Sequence, residues 1–257
     1  MPTIMTMMKS ILAASLVSIA AMSMAYAAGE GTAVGVKPEA LSKRGATERV
    51  LVVGADVSVG DRIVTGAGGH VQLLFSDQTR LVVGPRSTLE IEAYLLNGSR
   101  NDSFAVNALS GTFRFISGNS PKPVYSIDTP TASIAVRGTK FDLTVAGSEV
   151  RTLLYEGALT LCRGTTCIDL TNRCDIAALG TVNGLFSLRD DRDGLNGNFP
   201  LPNIQSAFQP DFRVQGAQAC IAPQSVPATE PSADEASQQT GNVTPPGGGN
   251  NNCMSIC

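Results

Sequence analysis

The stretch that most constrains this chain is Ser126 to Val145, SIDTPTASIAVRGTKFDLTV. Ile134 and Val136 alternate with Ser133, Ala135 and Arg137, and Phe141, Leu143 and Val145 alternate with Lys140, Asp142 and Thr144. A period of two is the mark of strands with one face buried and one face wet. Gly138 stands between the two runs, where a positive φ predicts a tight corner or a bulge. The run Val150 to Tyr155 ends at Glu156-Gly157, and a further strand is expected from Ala158. Two polar residues stand out, Arg137 and Asp142. They are either a binding pair, or Arg137 is a staple that donates to loop carbonyls or to a nearby carboxylate.

The same period runs upstream. Val50 to Val53 is a short apolar run, and Val57-Ser58-Val59 leads into a turn at Gly60-Asp61. Val71, Leu73 and Phe75 alternate with His70, Gln72 and Leu74. The chain turns at Ser76-Asp77-Gln78 and returns through Leu81 to Val83. Leu89 and Ile91 alternate with Glu90 and Glu92, whose spacing reads as solvated charge rather than a catalytic pair. Phe104 and Val106, then Gly111 to Phe115, follow a polar loop at Asn97 to Asp102, and Gly118 to Pro123 forms the next loop. Short strands punctuated by Gly, Asp and Pro predict an all-β fold, a single antiparallel sandwich or barrel-like domain with an irregular C-terminal extension.

Three stretches together resemble a known family. The run Thr129 to Phe141, containing Pro130, Arg137, Gly138 and Thr139, is followed by a strand and by Glu156-Gly157. Val59 to Gly66 contains a Gly-Asp-x-Ile-x-Thr-Gly-like turn with Asp61 and Gly66. Leu73 to Gly84 is a hairpin around Asp77. This combination resembles the core of FecR-type periplasmic domains over residues 49–180, with Gln78 where that family commonly has Gly. The resemblance implies a β scaffold and a periplasmic sensing or regulatory role. Signalling members of the family carry a cytoplasmic anti-sigma segment and a membrane helix ahead of this domain. Here an apolar run begins at residue 11, so direct contact with a sigma factor is not expected.

The ends read differently from the middle. Lys9, the apolar run Ile11 to Ala21 and Ala25-Tyr26-Ala27 fit a secretory signal peptide over residues 1–27, with either Met1 or Met8 as start. That run is short against the ~20 residues of a spanning helix, and an uncleaved anchor is the other reading. Residues 28–48 read as an exposed, flexible leader. All six cysteines lie late in the chain: Cys162, Cys167, Cys174, Cys220, Cys253 and Cys257. In an exported chain an even number suggests disulfides. Cys162 and Cys167 flank a hairpin turn and are expected to pair. Cys174–Cys220 is expected to tie residues 181–220, an irregular extension, to the domain, and Cys253–Cys257 would close a small loop. Asp190 to Asn198 fails the spacing of a calcium loop, and a zinc pattern is absent. The residues from 221 to 257 hold no aromatic, Lys or Arg and read as a disordered tail.

Composition narrows function. The single His and the lack of a nucleophile motif argue against catalysis. A net charge of −3 without basic clusters argues against a nucleic-acid partner. The expected protein is therefore a non-catalytic module with no cofactor, no metal and no transmembrane helix after signal cleavage. It is expected in the periplasm, or beyond it at the cell surface or secreted. It would bind an envelope protein in a signalling or regulatory role, through exposed turns at Asp77-Gln78 and Asn97 to Asp102 or a sheet edge. The alternative is a structural or glycan-binding component of the envelope or surface.

Overall fold

The computed structural model describes residues 30–97, 100–120, 125–180, 184–187 and 198–222. The expected signal peptide, most of the Asp190 to Asn198 loop, the pair Cys253 and Cys257, and residues 223–257 lie outside them. The first strands are β1 (Gly31–Lys37), β2 (Ala40–Arg44), β3 (Thr47–Val50), β4 (Asp56–Val57), β5 (Arg62–Thr65), β6 (His70–Phe75) and β7 (Arg80–Val83). There follow β8 (Thr88–Asn97), β9 (Arg100–Ile116), β10 (Tyr125–Asp128), β11 (Ser133–Ala146), β12 (Glu149–Arg163), β13 (Thr166–Leu170), β14 (Ile176–Gly180) and β15 (Gly184–Ser187). The fold is all-β, as the sequence period requires.

Three long strands organise it. The first part of β9 pairs with β8 and β10, and its last six residues pair with β7 and β11. The first part of β11 pairs with β10 and the end of β12, and its second part with β9 and the start of β12. One layer therefore runs β3-β2-β5-β8-β9-β10-β11-β12-β13, and the other β4-β1-β6-β7-β9-β11-β12-β14-β15. All pairings but β9–β10 are antiparallel.

Gly138 and Gly157 mark the place where β11 and β12 pass from one layer to the other. The expected corner at Gly138 is a bulge inside one continuous strand. The register steps from Arg137↔Ala158 to Lys140↔Glu156, so Gly138 and Thr139 oppose Gly157 alone. Gly138 has φ 64° and Gly157 φ 84°. A Cβ on Gly157 would lie 1.9 Å from the Gly138 carbonyl oxygen, so the two backbones touch where a side chain would stand. A bulge of this kind bends the strand and raises its twist, which suits a strand shared by two layers.

The interior between the layers is apolar. Phe75, Phe104, Phe113, Phe115, Tyr125 and Phe141 are at most 2% exposed. Edge-to-face contacts link Phe104 to Phe75 and to Phe115, and Phe115 to Tyr125, at 5.0 to 5.7 Å between centroids. These geometries are favoured by ring quadrupoles beyond area burial.

Two expectations are corrected. Residues 28–48 do not form a flexible leader: from Gly31 onward they are β1, β2 and the start of β3, with Ala33 and Ala40 in the core. Small residues hid the strands, because an alternation of Gly, Ala and Val carries little hydrophobic contrast. The second correction concerns the outer face of the β6–β7–β9–β11–β12–β14 layer, which is not wet. A short helix α1 (Leu201–Ile204) and 3-10 turns at Gln205–Ala207, Pro210–Phe212 and Ala217–Cys220 lie over it. Phe199, Val214, Ala217, Cys220 and Ile221 pack on Leu153, Tyr155 and Ile176. Leu201, Phe208 and Phe212 pack on Val82. The extension expected over 181–220 is therefore irregular only in part: Gly184–Ser187 form β15 on the sheet, and the residues from 198 are a third packed layer that runs through the buried Ile221.

Gly157→Ala should cost roughly 2–3 kcal/mol, from an unfavourable φ and a backbone contact that must be pushed apart. Urea unfolding read by circular dichroism checks this, and an unchanged midpoint would contradict the bulge.

Candidate functional site

Asp142 was expected on a wet face and is instead wholly buried. Its carboxylate takes Nε of Arg114 at 2.7 Å and Nη2 at 2.8 Å, a two-pronged pair with both side chains at 0% exposure. Tyr155 OH donates to the same carboxylate at 2.8 Å, and the Arg114 guanidinium lies 5.5 Å from the Tyr155 ring centroid. The remaining donor of Arg114 reaches into the extension, to Gln205 Oε1 at 2.8 Å and the Phe212 carbonyl at 3.4 Å. Burial by itself would lower the Arg114 pKa, but the facing Asp142 carboxylate outweighs it and the value is raised. Burial, then the Asp142 charge, pushes the Tyr155 hydroxyl well above its ordinary range. The guanidinium is therefore permanently charged and the phenol permanently neutral at physiological pH. This is a structural node and holds no reactive group.

Arg137 is not part of it. Arg137 points to solvent opposite Ala158 and makes no pair with Asp142. The binding-pair reading fails, because Arg137 is exposed in the first part of β11, before the bulge, whereas Asp142 is buried after it with Arg114 as its partner.

Asp77 is also structural. It is 1% exposed and accepts from Thr79 N and Oγ1, from Ser120 Oγ and from Tyr125 OH, at 2.8 to 3.0 Å. It fixes the β6–β7 turn from inside and offers no contact surface. Gln78 beside it is exposed and has φ 71°, a left-handed conformation that explains why Gly suits the position. Pro130 is exposed in a turn closed by Thr129, whose Oγ1 accepts from Ala132 N at 2.9 Å. Thr139 is buried at the bulge, and Phe141 is in the core. Glu156 pairs with Lys140 at 2.6 Å on the surface, where such a contact contributes little. Gly66 lets Glu39 approach, since a Cβ there would lie 2.7 Å from that of Glu39. At the Asn97 to Asp102 turn, no side chain is among the described residues.

Asp61 gathers the only polar recess among these positions. Its carboxylate is 2% exposed and holds Arg44 Nε at 2.8 Å and Arg49 Nη2 at 3.3 Å, while accepting Ser58 N at 3.0 Å. Ser42, Arg44, Thr47, Arg49, Asp56, Ser58 and Asp61 line a cavity of about 490 Å³. Arg44 and Arg49 lie in the stretch taken for a leader or at its border, so the sequence reading could not find the site. Asp61 alone was visible.

Both expected bridges near the domain are formed: Cys162–Cys167 across the β12–β13 turn, and Cys174–Cys220 between the domain and the extension. No group of His, Cys, Asp and Glu among the described residues is arranged to hold a metal ion. No helix among them is long and apolar enough to cross a membrane.

An all-β, disulfide-tied domain with this motif set matches a known class. Residues 61–160 match the family described as FecR protein, and they form a FecR-like domain. The match begins at Asp61 and ends within β12, so β1 to β4 and the extension lie outside it. A search of curated proteins finds no match. Among solved structures, two crystal structures of a candidate anti-sigma factor from Parabacteroides distasonis ATCC 8503, at 1.65 and 2.50 Å resolution, are similar. Each has 15% identity and a TM-score of 0.42, and covers 51% of this chain. The chain spans 60% of the length of each.

Arg114→Met should destabilise the protein by roughly 3–5 kcal/mol, because it leaves the Asp142 charge buried and unpaired. The double variant Arg114→Met with Asp142→Leu should recover most of that loss. Chemical denaturation of the four proteins of this cycle checks it, and equal losses in the single and double variants would contradict the assignment.

Proposed function

We propose that this protein is a non-catalytic binding module of the cell envelope that takes a protein partner on the β3 edge, in a regulatory role. The observation that carries the reading is the exposure of that edge. β3 pairs only with β2 and is exposed at all four residues. Val50, Val52 and Val53 at and after its end are 60–67% exposed. A strand edge presents unpaired N–H and C=O groups, which natural proteins usually blunt with charge, Pro or a covering element. β3 carries Glu48 and Arg49, but Val50 at its end and the two valines after it are bare, which suits a partner strand with backbone hydrogen bonds for affinity and apolar contacts for specificity. The FecR-like domain supports a regulatory role. The two disulfides fit a chain that folds outside the cytoplasm, and the periplasm is the compartment we assign.

The turn at Asp77-Gln78 is replaced by the β3 edge as the contact surface, because Asp77 is consumed internally. A structural envelope role is the competing reading. A photoreactive residue at position 52, in cells that make the protein, should crosslink one discrete envelope protein. The adduct should disappear when Val50→Asp is added. No adduct from position 52, with the protein sedimenting with cell wall or outer membrane, would favour the structural role and contradict ours.

A further inference from the structure

At the end of the sandwich, the inward face of the β2–β3–β5 edge turns from apolar to polar. On β2 the period-two series runs from the buried Ala40 through Ser42 to Arg44. The register sets Arg49 opposite Ser42 and Thr47 opposite Arg44, so these four side chains share one face. Asp61 closes the floor, and Asp56 and Ser58 form the opposite wall.

The floor is unbalanced in hydrogen bonds. One buried carboxylate, Asp61, faces two guanidiniums, and the second acid of the lining, Asp56, stands apart at the exposed rim. Arg44 gives only its Nε to Asp61. Arg49 gives only Nη2, to Asp61 and to the Asp56 carbonyl. The other guanidinium N–H groups have no acceptor among the described residues, and the two side chains are 53% and 41% exposed toward the cavity mouth. Ser42 is 1% exposed, and its buried Oγ has no hydrogen-bond partner. A buried hydroxyl left unpaired is costly, and a native structure tolerates one mainly where something else completes it. Asp56, exposed at the rim, takes only a 3.5 Å contact from Thr32 Oγ1.

We propose that this mouth binds a small ligand through a carboxylate. The free donors of Arg44 and Arg49 take the carboxylate, Ser42 Oγ completes its hydrogen bonds, and Asp56 accepts from a hydroxyl or N–H beside it. A carboxylate is favoured over phosphate by charge. A carboxylate adds one negative charge to a lining whose two arginines are already matched by Asp61 and the rim's Asp56, whereas a dianion would add two. Its planar, two-oxygen shape also matches a guanidinium fork. The volume, about 490 Å³, is that of an ordinary small-ligand site. Such a carboxylate can come from an acidic sugar or from the end of a short peptide. The site goes beyond the proposed protein contact at β3: it shares Thr47 and Arg49 with that strand, but its small probes test the cavity without the protein partner.

The test uses the folded, oxidised protein and four probes: glucuronic acid, glucose, N-acetyl-alanyl-alanine and its amide. Binding is read from the guanidinium Nε–H signals of Arg44 and Arg49 by NMR. We expect one acid to saturate those signals while its neutral counterpart does not, and the responding pair identifies the source. Arg49→Gln should weaken binding about tenfold, and Ser42→Ala about threefold without lowering the melting temperature. If neither acid moves the signals, or if the neutral counterpart binds as tightly, the proposal is wrong. Those comparisons need no variant, so they hold even if Arg49→Gln fails to fold. Inorganic phosphate binding more tightly than either acid would also overturn it.

Discussion

The structure depends on what a charge buried between two layers demands. Arg114 and Asp142 stand on neighbouring strands, β9 and β11, directly opposite each other in register. Removing both from water costs several kcal/mol per ion, and their attraction repays it only when the remaining hydrogen-bonding capacity is also met. Tyr155 meets the last need of the carboxylate. Gln205 Oε1 and the Phe212 carbonyl meet that of the guanidinium. Two of those partners belong to the extension, so the pair is comfortable only with the extension in place. Gln205 Oε1 also accepts Val214 N at 3.0 Å, which ties the far side of the extension to the same point.

The rest of the extension is then held by ordinary means. Val82, Leu153 and Ile176 give it an apolar floor on either side of the ion pair. Gln72 Oε1 accepts Gln209 N at 2.7 Å, and Thr144 Oγ1 donates to the Asn198 carbonyl at 2.6 Å. The Cys174–Cys220 bridge closes its end, which limits the freedom of the unfolded chain. His70, the lone histidine, lies 5.1 Å from the Phe208 ring, its pKa lowered by burial and then by Lys37. It stays neutral under the extension. This face is thus sealed by the chain's own extension.

Much of the inner core was legible in the sequence, because Phe141, Leu143, Val145, Leu73 and Phe75 obey a strict period of two. The third layer was not, because polar residues at the alternate positions look like a solvated face whether water or a carboxylate partner covers them. Asp142 stood out in the sequence, but beside Arg137 rather than its real partner, and Arg114 gave no signal of its own. A signal did exist in β12 and β14, where Leu153-Leu154-Tyr155 and Ile176-Ala177-Ala178-Leu179 are apolar at consecutive positions. Unbroken apolar runs mean a strand covered on both faces. The recess at Asp61 was invisible for a different reason. Its arginines come from β2 and β3, strands of small and polar residues, and only the register brings them beside Asp61.

The central claim is that residues 198–222 are an integral layer locked by the Arg114–Asp142 pair. Native-state hydrogen exchange tests it most directly. The amides of Phe212, Arg213 and Val214, each hydrogen-bonded within the extension, should open only with the global unfolding that also exposes β9 and β11. If those amides exchange through a local opening several kcal/mol below that of the sheet, the extension is a loosely attached strap and the account is wrong.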